Sequence, residues 1–341
     1  MTTSGTSPAL TVVMPVWNGA SVLHRSLDAL EASQLSPPLW ELIVVDDGSR
    51  DTSPQLAEER GHTVVRVEGG PRGPAHARNK GAERANGRIL VFVDADVCVH
   101  PDTLARFLRL FDEHSDLGAA FGAYDALPAD TRFLSQYRNL YHRYVHLRGA
   151  GKAETFWAGC GAVRRDVFED VGGFDADRYP RPAVEDIELG YRIRGAGWNI
   201  LLDPGIQGTH LKRWTLGDLL VTDLVFRGIP WMRLLLEESR RPSLNVGSRD
   251  RLRVLLVGMG GLALVAGLAF GTEWLLVGAA LLTLAVLANA SLHRWFAEAR
   301  GWGFSARAVP FTLMHDAVSC VSVAIAVVGH LAARPRFRGL S

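Results

Sequence analysis

Two carboxylates, Asp94 and Asp96, stand one residue apart at the end of the apolar run Ile89-Leu90-Val91-Phe92-Val93. The run has no polar alternation and is rich in β-branched and aromatic residues, the pattern of a strand buried on both faces. Open α/β sheets place their ligands at the carboxyl ends of such strands. Two like charges this close are costly unless a cation or hydrogen-bond donors neutralise them. Hard Mg²⁺ or Mn²⁺, which prefers carboxylates together with phosphate oxygens, would do so. A turn that uses Asp for local hydrogen bonds is the alternative.

The elements that would position such a site can be read upstream. Leu10 to Met14 is a strand stopped by Pro15, and Val16-Trp17-Asn18-Gly19 is the loop after it. Ser21 to Ala32 has helical spacing, with Val22, Leu23, Leu27 and Leu30 as its inner face. Leu42 to Val45 is the next strand, followed at once by Asp46-Asp47-Gly48-Ser49. Strand, helix and strand with acids at the strand ends make a βαβ unit with its site on one edge. There is no glycine-rich dinucleotide fingerprint and no phosphate loop, so a pyrophosphate would be held by metal and side chains. Further on, Ile187 to Arg194 reads as a helix behind the loop Arg181-Pro182-Ala183-Val184.

With 341 residues the chain has room for about two domains. A formal net charge of +1 and no dense Lys/Arg tract argue against a nucleic-acid partner. Cys98, Cys160 and Cys320 fit neither a zinc spacing nor a disulfide framework. Met1 to Pro8 has no basic segment and no apolar core, so no signal peptide is expected there. Composition divides the chain into a soluble α/β domain (1–215), an interfacial segment (216–250) and a membrane region (251–341). Spans are expected at about 252–270, 274–290 and 309–333. Arg249, Arg251 and Arg253 precede the first run, and Arg294, Arg300 and Arg307 lie in the 291–308 link. The positive-inside rule then puts the N-terminal domain in the cytoplasm of a multi-pass protein of the cell membrane. Arg334, Arg336 and Arg338 would oppose that rule if the third run spans, so a re-entrant segment stays open. Leu216 to Glu238 mixes apolar and charged residues, is interrupted at Gly228 and Pro230, and suits helices in the membrane interface or packed on the catalytic domain. Tyr137, Tyr141 and Tyr144, with Arg138 and Arg143, read as an amphipathic helix near the site or the membrane.

Six segments occur in a telling order: Pro15-Val16-Trp17-Asn18; Val44 to Ser49; Gly73-Pro74-Ala75-His76-Ala77-Arg78-Asn79-Lys80-Gly81; Asp94-Ala95-Asp96; Gly172-Gly173-Phe174-Asp175; and Glu185-Asp186-Ile187-Glu188-Leu189. His210-Leu211-Lys212-Arg213-Trp214 follows, with His where a Gln-x-x-Arg-Trp segment has Gln. Over roughly residues 8–215 the chain resembles the family 2 glycosyltransferases. The resemblance implies a GT-A fold, meaning an α/β domain on a mixed, mostly parallel sheet, here followed by a transmembrane helical region. It further implies a nucleotide-sugar donor, a divalent metal (Mn²⁺ or Mg²⁺) and inversion at the anomeric carbon.

By that resemblance, Asp46 and Asp47 hold base and ribose, Pro15, Trp17 and Asn18 line the donor site, and Arg78 and Asn79 face the nucleotide. Asp96 binds the metal, Asp94 lies between ribose and metal, and His210 is a third ligand through a neutral imidazole. Trp157 and Gly159 lie where relatives contact donor sugar and acceptor. Glu185, Arg213 and Trp214 belong to substrate-binding segments, Trp214 by stacking on an acceptor sugar. Asp186 is the general base, and its place at a helix start favours the anion. A membrane anchor suits a lipid-linked acceptor. A processive polysaccharide synthase, a polyprenyl-phosphate sugar transferase and an inactive membrane scaffold are the rival expectations.

Overall fold

The computed structural model describes residues 7–238 and 247–333. Arg334, Arg336 and Arg338 lie outside the described residues. The chain divides into two compact units, Met1–Arg213 and Trp214–Ser341.

The first unit is built on one sheet. Its strands are β1 (Leu10–Val16), β2 (Trp40–Asp46), β3 (Thr63–Arg66), β4 (Ile89–Val93), β5 (Val97–Val99), β6 (Leu117–Tyr124), β7 (Gly151–Ala153), β8 (Cys160–Arg164) and β9 (Asn199–His210). The spatial order is β3-β2-β1-β4-β8-β6-β9-β5, with β7 also on β9. The segment β3-β2-β1-β4 is parallel throughout. Strand β8 then runs antiparallel between β4 and β6, and β9 returns parallel to β6. The helices are α1 (Ala20–Glu31), α2 (Ser53–Glu59), α3 (Pro74–Ala82), α4 (Thr103–Glu113), α5 (Phe133–Arg148), α6 (Arg165–Asp170) and α7 (Glu185–Gly195).

Every residue of β4 is buried, as a central strand covered on both faces requires. Strand β1 does not stop at Pro15. It continues to Val16, with Pro15 opposite Val45 of β2. Pairing with β4 has already ended at Val13, so the missing proline N–H falls where β1 has lost one neighbour. Helix α1 buries Leu23, Ser26, Leu27 and Leu30, while Val22 is only half-buried. Helix α5 packs against the end of β6. Tyr137, Arg138, Tyr141 and Tyr144 are all buried, and half-buried Arg143 donates to the Tyr124 carbonyl at 2.6 Å.

The second unit is helical: α8 (Leu216–Val221), a π-helical turn (Thr222–Gly228), α9 (Ile229–Glu238), α10 (Ser248–Phe270), α11 (Thr272–Ala288), α12 (Ala290–Arg300) and α13 (Trp302–Ala333). Gly228 and Pro230 do not break 216–238 in two; the wide turn carries the helix past them. A proline ring crowds the carbonyl four residues back, and a π turn relieves that crowding. Among the described residues two helices, Ser248–Phe270 and Trp302–Ala332, are long and apolar enough to cross a membrane, and α11 with α12 together, bent by 60°, pass the same test as a broken span or re-entrant segment. The 291–308 link is therefore mostly helix, because Leu292 and Phe296, four apart, give α12 a buried face. His315 and Asp316 have partners inside this unit. Arg253 Nε and Nη2 donate to Asp316 at 3.2 Å each, Arg253 Nη1 donates to Asp250 at 2.7 Å, and His315 Nδ1 is 2.9 Å from an Asp223 oxygen.

Glycine sets one close contact that matters for the site. A Cβ on Gly190 of α7 would lie 2.3 Å from the backbone nitrogen of Phe156. The helix bearing Glu185 and Asp186 is thus packed directly on main chain that cannot yield. Gly190→Ala is expected to destabilise the protein by about 1–3 kcal/mol, the usual cost of overpacking, read as a lower melting temperature. An unchanged melt would mean that α7 can move away without penalty.

Candidate active site

Parallel pairing brings the ends of β1, β2 and β4 to one edge of the sheet. Asp46 is opposite Val16, and the Asp47 N–H donates to the Val16 carbonyl at 2.9 Å. Asp46 Oδ1 accepts from the Ser49 N–H at 3.0 Å. Asp47 uses both oxygens on backbone, accepting from Arg72 N–H at 2.8 Å and Gly73 N–H at 2.7 Å. Its carboxylate therefore ties the β2 end to the start of α3. Asn18, with φ at 50°, joins the same edge: its N–H donates to Ser49 Oγ and its Oδ1 accepts from the Arg50 N–H. Trp17 beside it is 57% exposed, an aromatic face open to solvent.

The Asp94–Asp96 turn is held from several sides. The Asp94 N–H donates to the Gly159 carbonyl at 3.2 Å, and Ser26 of α1 donates to the Ala95 carbonyl at 2.7 Å. Strand β5 then pairs with β9 so that Val97 lies opposite His210, and Leu211 N–H donates to the Asp96 carbonyl at 2.8 Å. This register sets His210 Nε2 at 3.5 Å from Asp96 Oδ2. Ser26 escapes a reading that looks only for acids and motifs, although positions 23, 26, 27 and 30 form the buried stripe of α1.

Arg78 is the cation of the site. Buried on α3, it donates through Nη2 to Asp94 Oδ1 at 2.7 Å and through Nη1 to Glu185 Oε1 at 3.0 Å, and lies over the Phe174 ring at 5.5 Å. Its Nε is buried without a hydrogen-bond partner. Asn79, expected to face the nucleotide, instead clasps the backbone of Phe174: Nδ2 donates to its carbonyl and Oδ1 accepts from its N–H. The second oxygen of Glu185 accepts from the Ala183 N–H at 2.8 Å. Asp186, half-buried at the first turn of α7, accepts from Ala158 N–H at 3.2 Å and from Ile187 N–H at 2.8 Å. The Trp157–Gly159 loop thus touches Asp186 through an N–H and Asp94 through a carbonyl. Arg213 is exposed at the end of the first unit, and Trp214 opens the second.

Charge is unevenly shared along this line. Burial and the neighbouring Asp96 push the Asp94 carboxyl above its ordinary range, against the pull of Arg78. Asp96 is held low, because His210 and Lys212 together outweigh the upward push of burial. Arg78 is raised: its desolvation is outweighed by Asp94 and Glu185. The Cys160 thiol beside them is pushed up to about 12 by burial and by Asp94, which removes it as a nucleophile.

An imidazole facing a carboxylate, with Asp94 two residues back, is a donor set that fits Mn²⁺ or Mg²⁺. Among the described residues no three His, Cys, Asp or Glu side chains converge as a preformed cage.

Comparison with known proteins agrees with this architecture. Residues 11–172 match the family described as Glycosyl transferase family 2. Glycosyltransferase AglE of Haloferax volcanii is 27% identical over 227 residues, covering 64% of this chain and 71% of AglE. The putative teichuronic acid biosynthesis glycosyltransferase TuaG of Bacillus subtilis is 34% identical over 133 residues, covering 36% of this chain and 51% of TuaG. The chain thus spans only about half the length of that second relative. The fold is similar to the mannosyltransferase PcManGT of Pyrobaculum calidifontis, solved with GDP-Man and Mn²⁺, at a TM-score of 0.60 and 21% identity over 94% of this chain and 88% of that one. The first unit is a GT-A-like domain. Residues 11–172 carry a glycosyltransferase family 2 domain, and this marks the chain as a transferase enzyme.

The buried contact most exposed to a single change is the Arg78 fork. Arg78→Leu leaves Glu185 buried and unpaired and is expected to cost about 3–5 kcal/mol of stability, read as a fall in the denaturant midpoint. A loss under about 1 kcal/mol would mean that water replaces the guanidinium at little cost.

Proposed function

We propose that the protein transfers a sugar from a nucleotide-diphosphate donor to a membrane-associated, lipid-linked acceptor, with inversion at the anomeric carbon and with help from a divalent cation. The observation that carries this reading is the meeting of two kinds of acid around one loop. Asp94, with Asp96 two residues on, approaches it from the end of β4, and Asp186 approaches it from α7.

Trp17 offers an open aromatic face for the base at the β1 end, with Asp46 beside Ser49 on the ribose side. Asp96 and His210 would hold Mn²⁺ or Mg²⁺, and Arg78 would share the Asp94 carboxylate with it. When bound, the cation supplies positive charge for the departing nucleoside diphosphate. Asp186 accepts the proton of the acceptor hydroxyl as that oxygen forms its bond to the anomeric carbon and the bond to the diphosphate breaks. The Ala158 and Ile187 N–H groups hold the Asp186 carboxylate in place. Glu185 and Arg78 fix the first turn of α7, so the base does not swing with its helix end. The second unit would place the catalytic unit at a bilayer, on its cytoplasmic side, where a lipid-linked acceptor presents its head group.

Donor hydrolysis by the purified protein across a panel of nucleotide sugars, with Mn²⁺, Mg²⁺ or EDTA, identifies the donor and tests the cation. With that donor, Asp186→Asn is expected to bind nucleotide normally and to lose about a hundredfold or more in transfer. Near-normal turnover would remove Asp186 as the base, and lost donor affinity would move it into the nucleotide site.

The acceptor reading is checked separately. The first unit alone, ending at Arg213, is expected to bind donor but to transfer far more slowly than the full chain to a lipid-linked acceptor in liposomes. Equal rates from the two proteins on that acceptor would refute a role for the second unit in reaching it.

A further inference from the structure

We infer that Tyr124 is a positioning residue for His210: its ring sets the plane of the imidazole, directs Nε2 at Asp96, and so governs the affinity of the site for a divalent cation. The inference rests on the reading of Asp96 and His210 as cation ligands.

His210 is the last residue of β9, opposite Val97 of β5. The outer torsion of a histidine has a broad minimum and needs a neighbour to fix it. Tyr124, the last residue of β6, supplies one. It pairs with Gly208, so His210 lies two residues further along the same face of the sheet. The two rings are stacked, with centroids 4.2 Å apart and planes 11° from parallel. Both residues are buried, at 7% and 5% exposure, so rotation of the imidazole would need the stack to open inside packed protein.

Tyr124 is itself held. Trp157 meets it edge-on at 4.9 Å and 80°, His142 lies at 4.8 Å, and Arg143 grips its carbonyl at 2.6 Å. Trp157 closes over Gly159, where a Cβ would fall 2.5 Å from the indole. The Gly159 carbonyl receives the Asp94 N–H. Packing therefore runs from the backbone of Asp94 through Gly159, Trp157 and Tyr124 to His210, which faces Asp96. One side of this ring of contacts sets the acid and the other sets the imidazole. Groups that orient a metal-binding histidine commonly change metal affinity by about 10- to 100-fold when removed.

The test uses the full chain in detergent and Mn²⁺ titrated in the presence of GDP or UDP, with free Mn²⁺ read by electron paramagnetic resonance. Tyr124→Phe keeps the ring and is expected to bind Mn²⁺ within about twofold of the parent. Tyr124→Met fills the volume without a plane and is expected to bind about tenfold more weakly. Tyr124→Val, suited to a strand end, takes its place if the methionine variant does not fold, and circular dichroism reports folding in each case. In a His210→Ala background the same changes at Tyr124 are expected to have no further effect. If His210→Ala weakens Mn²⁺ while the folded Tyr124→Met or Tyr124→Val variant binds it normally, Tyr124 has no positioning role. If His210→Ala itself leaves Mn²⁺ affinity unchanged, the ligand reading fails and the inference falls with it.

Discussion

One guanidinium holds together a site that would otherwise repel itself. Asp94, Glu185 and Asp186 act on Arg78 from two different parts of the chain. Two of them are bonded to it directly, at 2.7 and 3.0 Å. Without a buried cation, desolvation and mutual repulsion would drive these acids to protonate or the elements apart. A base must stay ionised to accept a proton, so the charge balance is also a condition for chemistry. Arginine suits the task because its fork reaches two carboxylates at once, whereas a lysine presents a single point of charge. Asn79, next along α3, fastens the Phe174 backbone, so the guanidinium is braced by the ring it lies over.

The rest of the site depends on strand register. The parallel half of the sheet delivers Asp46, Asp47 and Asp94 to one edge simply because each follows its strand. His210 arrives by another route, on a strand that comes far later in the chain and pairs antiparallel with the three-residue β5. A shift of one residue in that pairing would turn His210 to the opposite face and leave Asp96 facing a neighbour without a donor. Ser26 and Leu211 oppose such a shift, since they bond the carbonyls of Ala95 and Asp96 on either side of the turn.

This division explains what could be read from the sequence. The βαβ units and their acids are local, because an apolar run followed by Asp states both the strand and its end. The helix boundaries at α1 and α7 shift by only a residue or two from the periodic pattern. Contacts made across the sheet were not legible. Tyr124 is an ordinary strand residue until β6 and β9 pair, and Asn79 looks like a nucleotide contact until Phe174 folds over it. The run to Val16 through Pro15 also required knowing where β4 stops. For α5, helical spacing reports which residues share a face, not how many of them another layer covers.

In the second unit the same physics fixes a level. Arg253 and Asp316 are buried together, and Asp250 shares the same guanidinium. Arg253 lies just before the uncharged run that begins at Val254, and Asp316 just before the one that begins at Ala317. Each run continues for about 17 residues, or about 25 Å of helix, slightly less than the ~30 Å of a hydrocarbon core. Pairing the two charges aligns the two apolar runs, so both start at one depth. Asp223 and His315 bond at the same end of α13 and add a second polar contact at that level. A bilayer around these helices would meet its polar boundary at this layer of charge. The part of α13 before Asp316, which carries Arg307 and Pro310, would then lie outside the hydrocarbon. Were these helices in a bilayer, α13 would continue beyond it rather than cross it along its whole length.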